Sequence, residues 1–461
     1  MDPSALMAEI ESLKTKMAEQ EELNAATFDT LFIILSAIII SFMQGGLALL
    51  EAGMVASKNV QHILMKNLFD VCFGTIAFWL VGYAFAFGDD TGIGFIGMSE
   101  FAGIWPDIVN RDWFFLWTFC TVTASIISGA LAERTDFRAY AWFVLVECAI
   151  VFPVLLHWGW HPDGWLLHLD PISYKDFAGA GLVHFHSGTM AFMGAWLVGP
   201  RLGRFDPAVD QSRFKPHNVP LYILGVFALW MGWYSFNTGS NFGISRGGYE
   251  VVSVIAANTT LSGTLGAVTC FVIESYLNRK ELTYDLEALA NGVLSGLVAI
   301  CGGCNSMYPW GAVLTGIGAG ISFILFKYLC FWIKVDDPLG ASAVHGAAGF
   351  WGVFMAGLLN KETGGMPMQV AAQFIGLASV LAWSVCWSLA IWLPCKWMGI
   401  MRCPPEEEEI GQDVHLHGGS GYRYHMDALP GEVIETCSPR NLGVENKLTA
   451  PSSENGHEAK V

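Results

Sequence analysis

The chain has 461 residues, 53% of them hydrophobic and only 14% charged. Charged residues supply about a quarter of a typical soluble domain, so this balance excludes an ordinary soluble fold. The formal charge of −17 comes from acids crowded into the tails and outer loops; it signals no binding partner, and no nucleic-acid partner is expected.

Residues 1–26 are polar and helix-prone, an extracellular N-terminal segment without the basic stretch and small-residue cleavage site of a removable signal. The first span must therefore direct insertion itself. Apolar stretches of about 20 residues then recur to about residue 398, enough for about eleven spanning helices. The spans lie near 27–56, 60–88, 112–132, 139–158 and 178–200, then, after a basic inner loop at 201–218, near 219–240, 250–277, 284–302, 309–333, 340–359 and 368–398. The chain reads as an all-α polytopic membrane protein: five helices in 27–200, five more in 219–359, an outer loop and eleventh helix in 360–398, and a cytoplasmic tail in 399–461. Because five is odd, the second set runs through the membrane in the inverted sense, a recurrent transporter design with its site at the repeat interface.

Basic residues set the orientation. With the N-terminus outside, six Lys and Arg fall on the outer side (Lys14, Lys16, Arg111, Lys175, Arg246, Lys361) and the other eighteen of 24 on or near the inner side. Short loops richer in Lys and Arg stay in the cytoplasm, so the N-terminus is outside and the C-terminus inside. Eleven scattered cysteines give no disulfide framework, and Cys301-Gly-Gly-Cys304 lacks the second pair a zinc site needs. An outer-loop turn is expected there, with no metal and no cofactor.

Two histidines stand out. His184 and His345 each follow an aspartate, Asp176 and Asp337, by eight residues in a glycine-rich apolar stretch. An aspartate suits a helix N-cap, and Pro338 suits a first helical turn. Helices starting at the aspartates would set each imidazole ~12 Å beyond its cap, close to half of a ~30 Å hydrocarbon core. The fifth span enters from outside and the tenth from inside, so the imidazoles would meet from opposite faces. A neutral imidazole donates from one nitrogen and accepts at the other, so the pair can guide a small polar molecule or a proton. A buried histidine bonded to a neighbouring helix is the structural alternative for either one alone. His186 points ~200° away from His184 and takes a packing or interface role.

The sixth span places Trp233, Phe236 and Ser240 on one stripe, the third carries Phe115 and Phe119, and Trp160 follows the fourth on the outer side. Aromatic stripes usually serve packing. An indole and a phenyl ring beside a hydroxyl, however, make a site for a small cation. Glu51, Asp70 and Glu147 lie within or near spans, where pairing with another helix or a proton relay are the two readings. Small-residue runs such as Gly179-Ala-Gly181 and Gly346-Ala-Ala-Gly349 allow close helix approach.

Five stretches in order carry a family resemblance: Gly129-Ala-Leu-Ala-Glu-Arg134, Asp176-Phe-Ala-Gly179 through His184, Phe214-Lys-Pro-His-Asn218, Gly232-Trp-Tyr-Ser-Phe-Asn-Thr-Gly-Ser240, and Val335-Asp-Asp-Pro338 through His345-Gly346. Over roughly 27–425 the chain resembles the ammonium transporter family, Amt/Mep/Rh, in its Amt branch. The resemblance implies a homotrimer in the plasma membrane lipid bilayer, each eleven-helix subunit with its own pore. Ammonium, or methylammonium as its analogue, would be recruited by Phe119, Trp160 and Ser240. Phe119 and Phe236 would be gating rings, His184 and His345 the twin histidines of an apolar pore that conducts ammonia, Trp233 a pore-lining ring, and Asp176 a structural support.

One departure is Gly340, where the family often has an acid. The tail Glu406-Glu-Glu-Glu409-Ile-Gly411-Gln-Asp413-Val-His-Leu-His417-Gly418 resembles the family's regulatory segment, which docks beneath neighbouring subunits, while His415 stands where plant members carry a phosphorylated threonine. Beyond about residue 428 the tail reads as disordered. An electroneutral Rh-type ammonia channel is the nearer alternative, against which Trp160 and Ser240 speak. An ammonium sensor is the other, although no output domain accompanies the spans. No nucleophile–base set supports an enzyme.

Overall fold

The computed structural model describes residues 3–103, 111–280, 283–363 and 365–422. Its helices are α1 Pro3–Ser41, α2 Met43–Met54, α3 Val60–Ala77, α4 Tyr83–Phe87, α5 Arg111–Ala130, α6 Phe137–Val146, α7 Phe152–Trp160, α8 His186–Val198, α9 Val219–Gly239, α10 Gly248–Leu277, α11 Leu286–Ile300, α12 Pro309–Trp332, α13 Ala348–Leu358, α14 Pro367–Trp397, α15 Pro405–Ile410 and α16 Gln412–His417. Short π-helical segments join α3 to α4 and α6 to α7, and precede α8 (Ala180–Phe185) and α13 (Ser342–Ala347). Among the described residues there is no β-strand, only isolated bridges at Asp90–Gly97 and Thr135–Arg402. Eight helical stretches are long and apolar enough to cross a membrane. The segments 180–198, 286–300 and 342–358 are shorter and lie between them.

Local chemistry sets the helix starts. Asn218 and Asp285 accept from Leu221 N–H (3.1 Å) and Ala288 N–H (3.0 Å) at the head of α9 and α11, satisfying amides that have no partner within the helix. Proline stands in the first turn of α9, α12 and α14, where its missing N–H costs nothing.

The two histidine helices begin later than their aspartates predict. Asp176 Oδ2 accepts from Gly181 and Leu182 N–H, both at 2.9 Å; Asp337 accepts from Ala341 N–H (3.1 Å) and Ser342 N–H (2.7 Å). Both carboxylates thus cap from outside, across a turn whose glycine has positive φ: Gly179 at +93° and Gly340 at +71°. Pro338 therefore lies in that turn and not in the helix. Each imidazole sits four residues into its helix, at 180–184 and 341–345, so the ~12 Å separation shrinks to ~6 Å. Helices that start this deep leave irregular chain inside the bundle, which is tolerated where it is buried in protein or lines a cavity.

The same two elements cross backbone on backbone. A Cβ at Gly188 would lie 2.0 Å from Gly346 N, and one at Gly349 would lie 2.6 Å from Ala180 O. The small-residue runs thus sit where the histidine helices touch. Around them, two buried acids pair with neighbouring helices. His186 bridges Glu147 Oε1 and Ser384 Oγ, both at 2.7 Å, which ties α6–α7, α8 and α14 together. Asp70 accepts from Ser125 Oγ (2.8 Å) and Tyr140 O–H (2.7 Å). These are the structural pairings weighed for Glu147 and Asp70.

At the end opposite Trp160, the tail segment 405–421 packs on its own chain. Asp413 accepts from the backbone of Gln61 and His62 (both 2.9 Å) at the head of α3, and Lys58 Nζ donates to Glu408 O at 2.8 Å. His415 pairs with Glu407 at 2.8 Å. The expected disordered tail beyond 428 lies outside the described residues.

Candidate functional site

A column of rings runs between two cavities. At one end, Trp160 and Ser240 line a cavity of about 160 Å³ with Phe87, Phe115, Leu116, Phe119, Phe177 and Phe242. Trp160 closes α7, and its indole N–H donates to Asp176 O at 2.8 Å, which holds the ring edge-on to Phe119 with centroids 5.6 Å apart. Ser240 donates its hydroxyl proton to Phe236 O at 2.9 Å, so its lone pairs stay free to accept an N–H. Two ring faces and an acceptor around a small space suit a small cation carrying N–H groups.

Phe119 lines that cavity and stacks on Phe236 behind it. Both are fully buried, and their rings stack with centroids 4.0 Å apart and planes at 26°. A stack of this kind contributes ~0.5–1.5 kcal/mol beyond burial, so thermal motion can part it.

Below the stack, His184 lies 5.6 Å from the Phe236 centroid and stacks on Trp233 at 5.2 Å. His184 Nδ1 faces His345 Nδ1 at 3.2 Å, and the rings are 5.2 Å apart at 29°. Only one proton fits between two such nitrogens, so one imidazole donates and the other accepts. The outer nitrogens must then take opposite roles, one donor and one acceptor. The sequence-predicted residues Trp160, Ser240, Phe119, Phe236, Trp233, His184 and His345 are thus one contiguous set.

Cys301 belongs to the same set. Its Sγ accepts from Trp233 Nε1–H at 3.1 Å and lies 3.6 Å from His184 Nε2. The turn after α11 also anchors the chain ahead of the first histidine helix, since Phe177 and Ala178 N–H donate to Gly302 O (3.1 Å) and Cys301 O (2.8 Å). The CxxC stretch is a turn as expected, but Cys301 and Cys304 are fully buried and not in an exposed outer loop, and the first sulfur faces His184. Nothing in one-dimensional spacing marks that. Among the described residues no cluster could hold a metal ion.

Asp176 is 7% exposed, with Tyr174 O–H 3.4 Å from Oδ2 and no partner for Oδ1 among the described residues. Burial pushes its carboxyl up to about 6, while the Leu182 and Gly181 amides resist. The two amides tie its carboxyl to the turn ahead of His184, while its backbone carbonyl holds the Trp160 indole.

Past the histidines, His345, Trp233 and Glu51 line a narrow cavity of about 30 Å³ with Met43, Leu47 and Leu339. Glu51 Oε2 accepts from Asn67 Nδ2 at 2.5 Å and lies 3.4 Å from Ser128 Oγ. This acid had no partner assignable from sequence; it turns out to face the pathway. Asn291 lines both this space and a wider one of about 370 Å³ bounded by Arg201, Arg204, Lys215, Asp336 and Asp337. There, burial alone would raise the Asp336 carboxyl, yet Arg201 and Arg134 hold it well below the usual range. Arg201 Nε donates to Asp336 Oδ2 at 2.8 Å and Arg134 donates to Asp336 O at 2.6 Å.

The model of the Ammonium Transporter Family matches residues 31–422. The chain belongs to the Ammonium Transporter Family. "Putative ammonium transporter 1" of Caenorhabditis elegans is 37% identical over 450 residues, covering 91% of this chain and 83% of that one. "Ammonium transporter 1 member 3" of Solanum lycopersicum is 36% identical over 86% of this chain and 93% of its own length. Among solved structures, one titled "Sensor Amt Protein" superimposes with a TM-score of 0.79 at 32% identity, covering 86% of this chain and 99% of its own. Saccharomyces cerevisiae Mep2 gives 0.76 at 25% identity, covering 88% and 93%. These family relatives are transporters and not enzymes.

Proposed function

We propose that this family member carries ammonium across the plasma membrane as eleven spans per subunit in a homotrimer, with an inverted five-plus-five repeat, the N-terminus outside and the C-terminus in the cytoplasm. Ammonium, or methylammonium in its place, settles in the outer cavity on Trp160 and Phe119 with Ser240 accepting an N–H. The observation that carries this reading is the unbroken ring column from Trp160 to His345, closed by the Phe119–Phe236 stack between two cavities.

An ion cannot follow that column intact. Burying an unpaired ammonium costs far more than burying a neutral, hydrogen-bonding amine. Ammonium therefore gives up a proton near the stack, and ammonia slides past His184, Trp233 and His345, donating to or accepting from the imidazoles. The proton travels by a separate or histidine-linked route, so net charge moves.

Expression in yeast lacking its own ammonium transporters tests the reading: the chain should support methylammonium uptake, and Trp160→Ala should raise the half-saturating concentration. A properly inserted chain that supports no uptake overturns it. In oocytes, uptake unaccompanied by current overturns the charge movement alone.

A further inference from the structure

Helix α1 extends well beyond the spanning bundle. The family match begins at residue 31, yet α1 starts at Pro3 and runs without a break to Ser41. Residues 3–24 are all exposed. Most helical stability comes from packing an apolar face and not from propensity, and this helix carries such a face in its first four turns. Leu6, Ile10, Leu13 and Met17 follow one another at intervals of four, three and four, and Leu13 and Met17 are 53% and 72% exposed. This is the a/d seam of a coiled coil, with Leu6 and Leu13 at d and Ile10 and Met17 at a. The seam continues through Gln20, Asn24 and Thr27 to the exposed Leu31, Ile34 and Ile38.

The opposite face is the one that meets the body of the chain. Glu22 pairs with Arg246, Asp29 accepts from Ile244 and Ser245 N–H at 2.7 and 2.9 Å, and Ala25 and Ile33 are buried. The base of the helix is thus fixed so that the seam points away from its own subunit.

The charges beside the seam identify the partner. Glu9 and Lys16 occupy g positions, and Lys14 and Glu21 the e positions five residues further on. In a parallel, in-register pairing of identical helices each g residue meets the e′ residue five along, giving Glu9–Lys14′ and Lys16–Glu21′, both attractive. Copies inserted in one membrane share one orientation, so their α1 helices are necessarily parallel. Gln20 and Asn24, at d and a, would meet their own kind and hold the register.

We infer that residues 3–27 form a parallel coiled coil with the same segments of other copies of this chain, standing off the membrane as an oligomerisation stalk. The inference holds whatever the pore carries.

Oxidative crosslinking of the full chain in native membranes tests it, with the unsubstituted chain as background for the native cysteines. Leu13→Cys, at a seam position, should give an inter-subunit disulfide at several-fold the yield of Thr15→Cys, two residues along on the far face. Adding Lys14→Glu to Leu13→Cys should lower that yield, and adding Glu9→Lys as well should restore it. Equal yields at 13 and 15, no crosslink at 13, or a yield indifferent to Lys14→Glu overturns the inference. All four positions, 9, 13, 14 and 15, are exposed, so the folded subunit is untouched.

Discussion

In the first histidine segment, Asp176 sits in an apolar nest with Tyr174, the glycine at positive φ packs under Val183, and His184 is boxed in by Phe236, Trp233 and Cys301. In the second, Asp337 also accepts from the Ser342 hydroxyl at 2.6 Å, its neighbour Asp336 is clamped by arginines, the glycine at positive φ has Phe323 and Asn291 only at ordinary contact distance, and His345 borders a cavity. One local plan, aspartate, left-handed glycine and histidine four residues into the helix, is thus used twice in different settings. The first setting is closely packed and aromatic, which fits the proposed recruitment of a cation. The second is looser and charged at its far end, which fits the proposed release. The repeated part belongs to local backbone chemistry; the difference comes from which helices pack around it.

Substitutions at matched positions can break that contrast. The largest expected effect is at the crossing. Gly188→Ala drives a methyl into the Gly346 backbone, which cannot yield, so its cost should reach or exceed the ~1–3 kcal/mol of ordinary overpacking. Gly346→Ala meets its nearest atom at 3.4 Å and should be tolerated. Size-exclusion profiles in detergent will compare them, and equal behaviour would disprove the asymmetry. Next come the histidines. His184→Ala removes a ring held on several sides and should cut methylammonium uptake about tenfold or more, ~1.4 kcal/mol of barrier. His345→Ala leaves His184 held by Cys301 and should cost less. A reversed order in uptake rates would sink the assignment of the stricter role to the first half. The smallest difference is expected at the glycines. Gly340→Ala should cost ~1–2 kcal/mol for left-handed backbone alone, read as a lowered melting temperature. Gly179→Ala should cost more, because its Cβ would also lie 2.6 Å from Val183 Cγ2.

Much of this pathway is legible in the sequence. The spans follow from apolar runs, and the offset of His184 and His345 from their aspartates reflects a real structural repetition. The aromatic residues assemble because helical spacing places them on one stripe. Three features stay hidden. Pro338 suggests a helix start, yet the backbone needs Gly340 at positive φ first, and a proline rule cannot anticipate a cap acting across a turn. Cys301 reaches His184 only through the packing of α11 against α9 and the segment Ala180–Phe185. Glu51 looks like any buried acid until the third dimension places it in a cavity wall. The last two depend on contacts between residues tens to hundreds of positions apart, and periodicity carries no record of those.

The narrow space below His345 has a further consequence. A cavity needs ~10–15 Å³ to hold one water, so about 30 Å³ admits roughly two molecules and no more. Above it, the histidine pair (Nδ1 to Nδ1 3.2 Å) and the phenylalanine stack (centroids 4.0 Å) stand in ring-to-ring contact where a file of water would have to pass. Bulk protons hop along such files, and hydrated sodium or potassium would need them too. On the proposed reading, a pathway without such a file would let a cell display many copies without draining its potential.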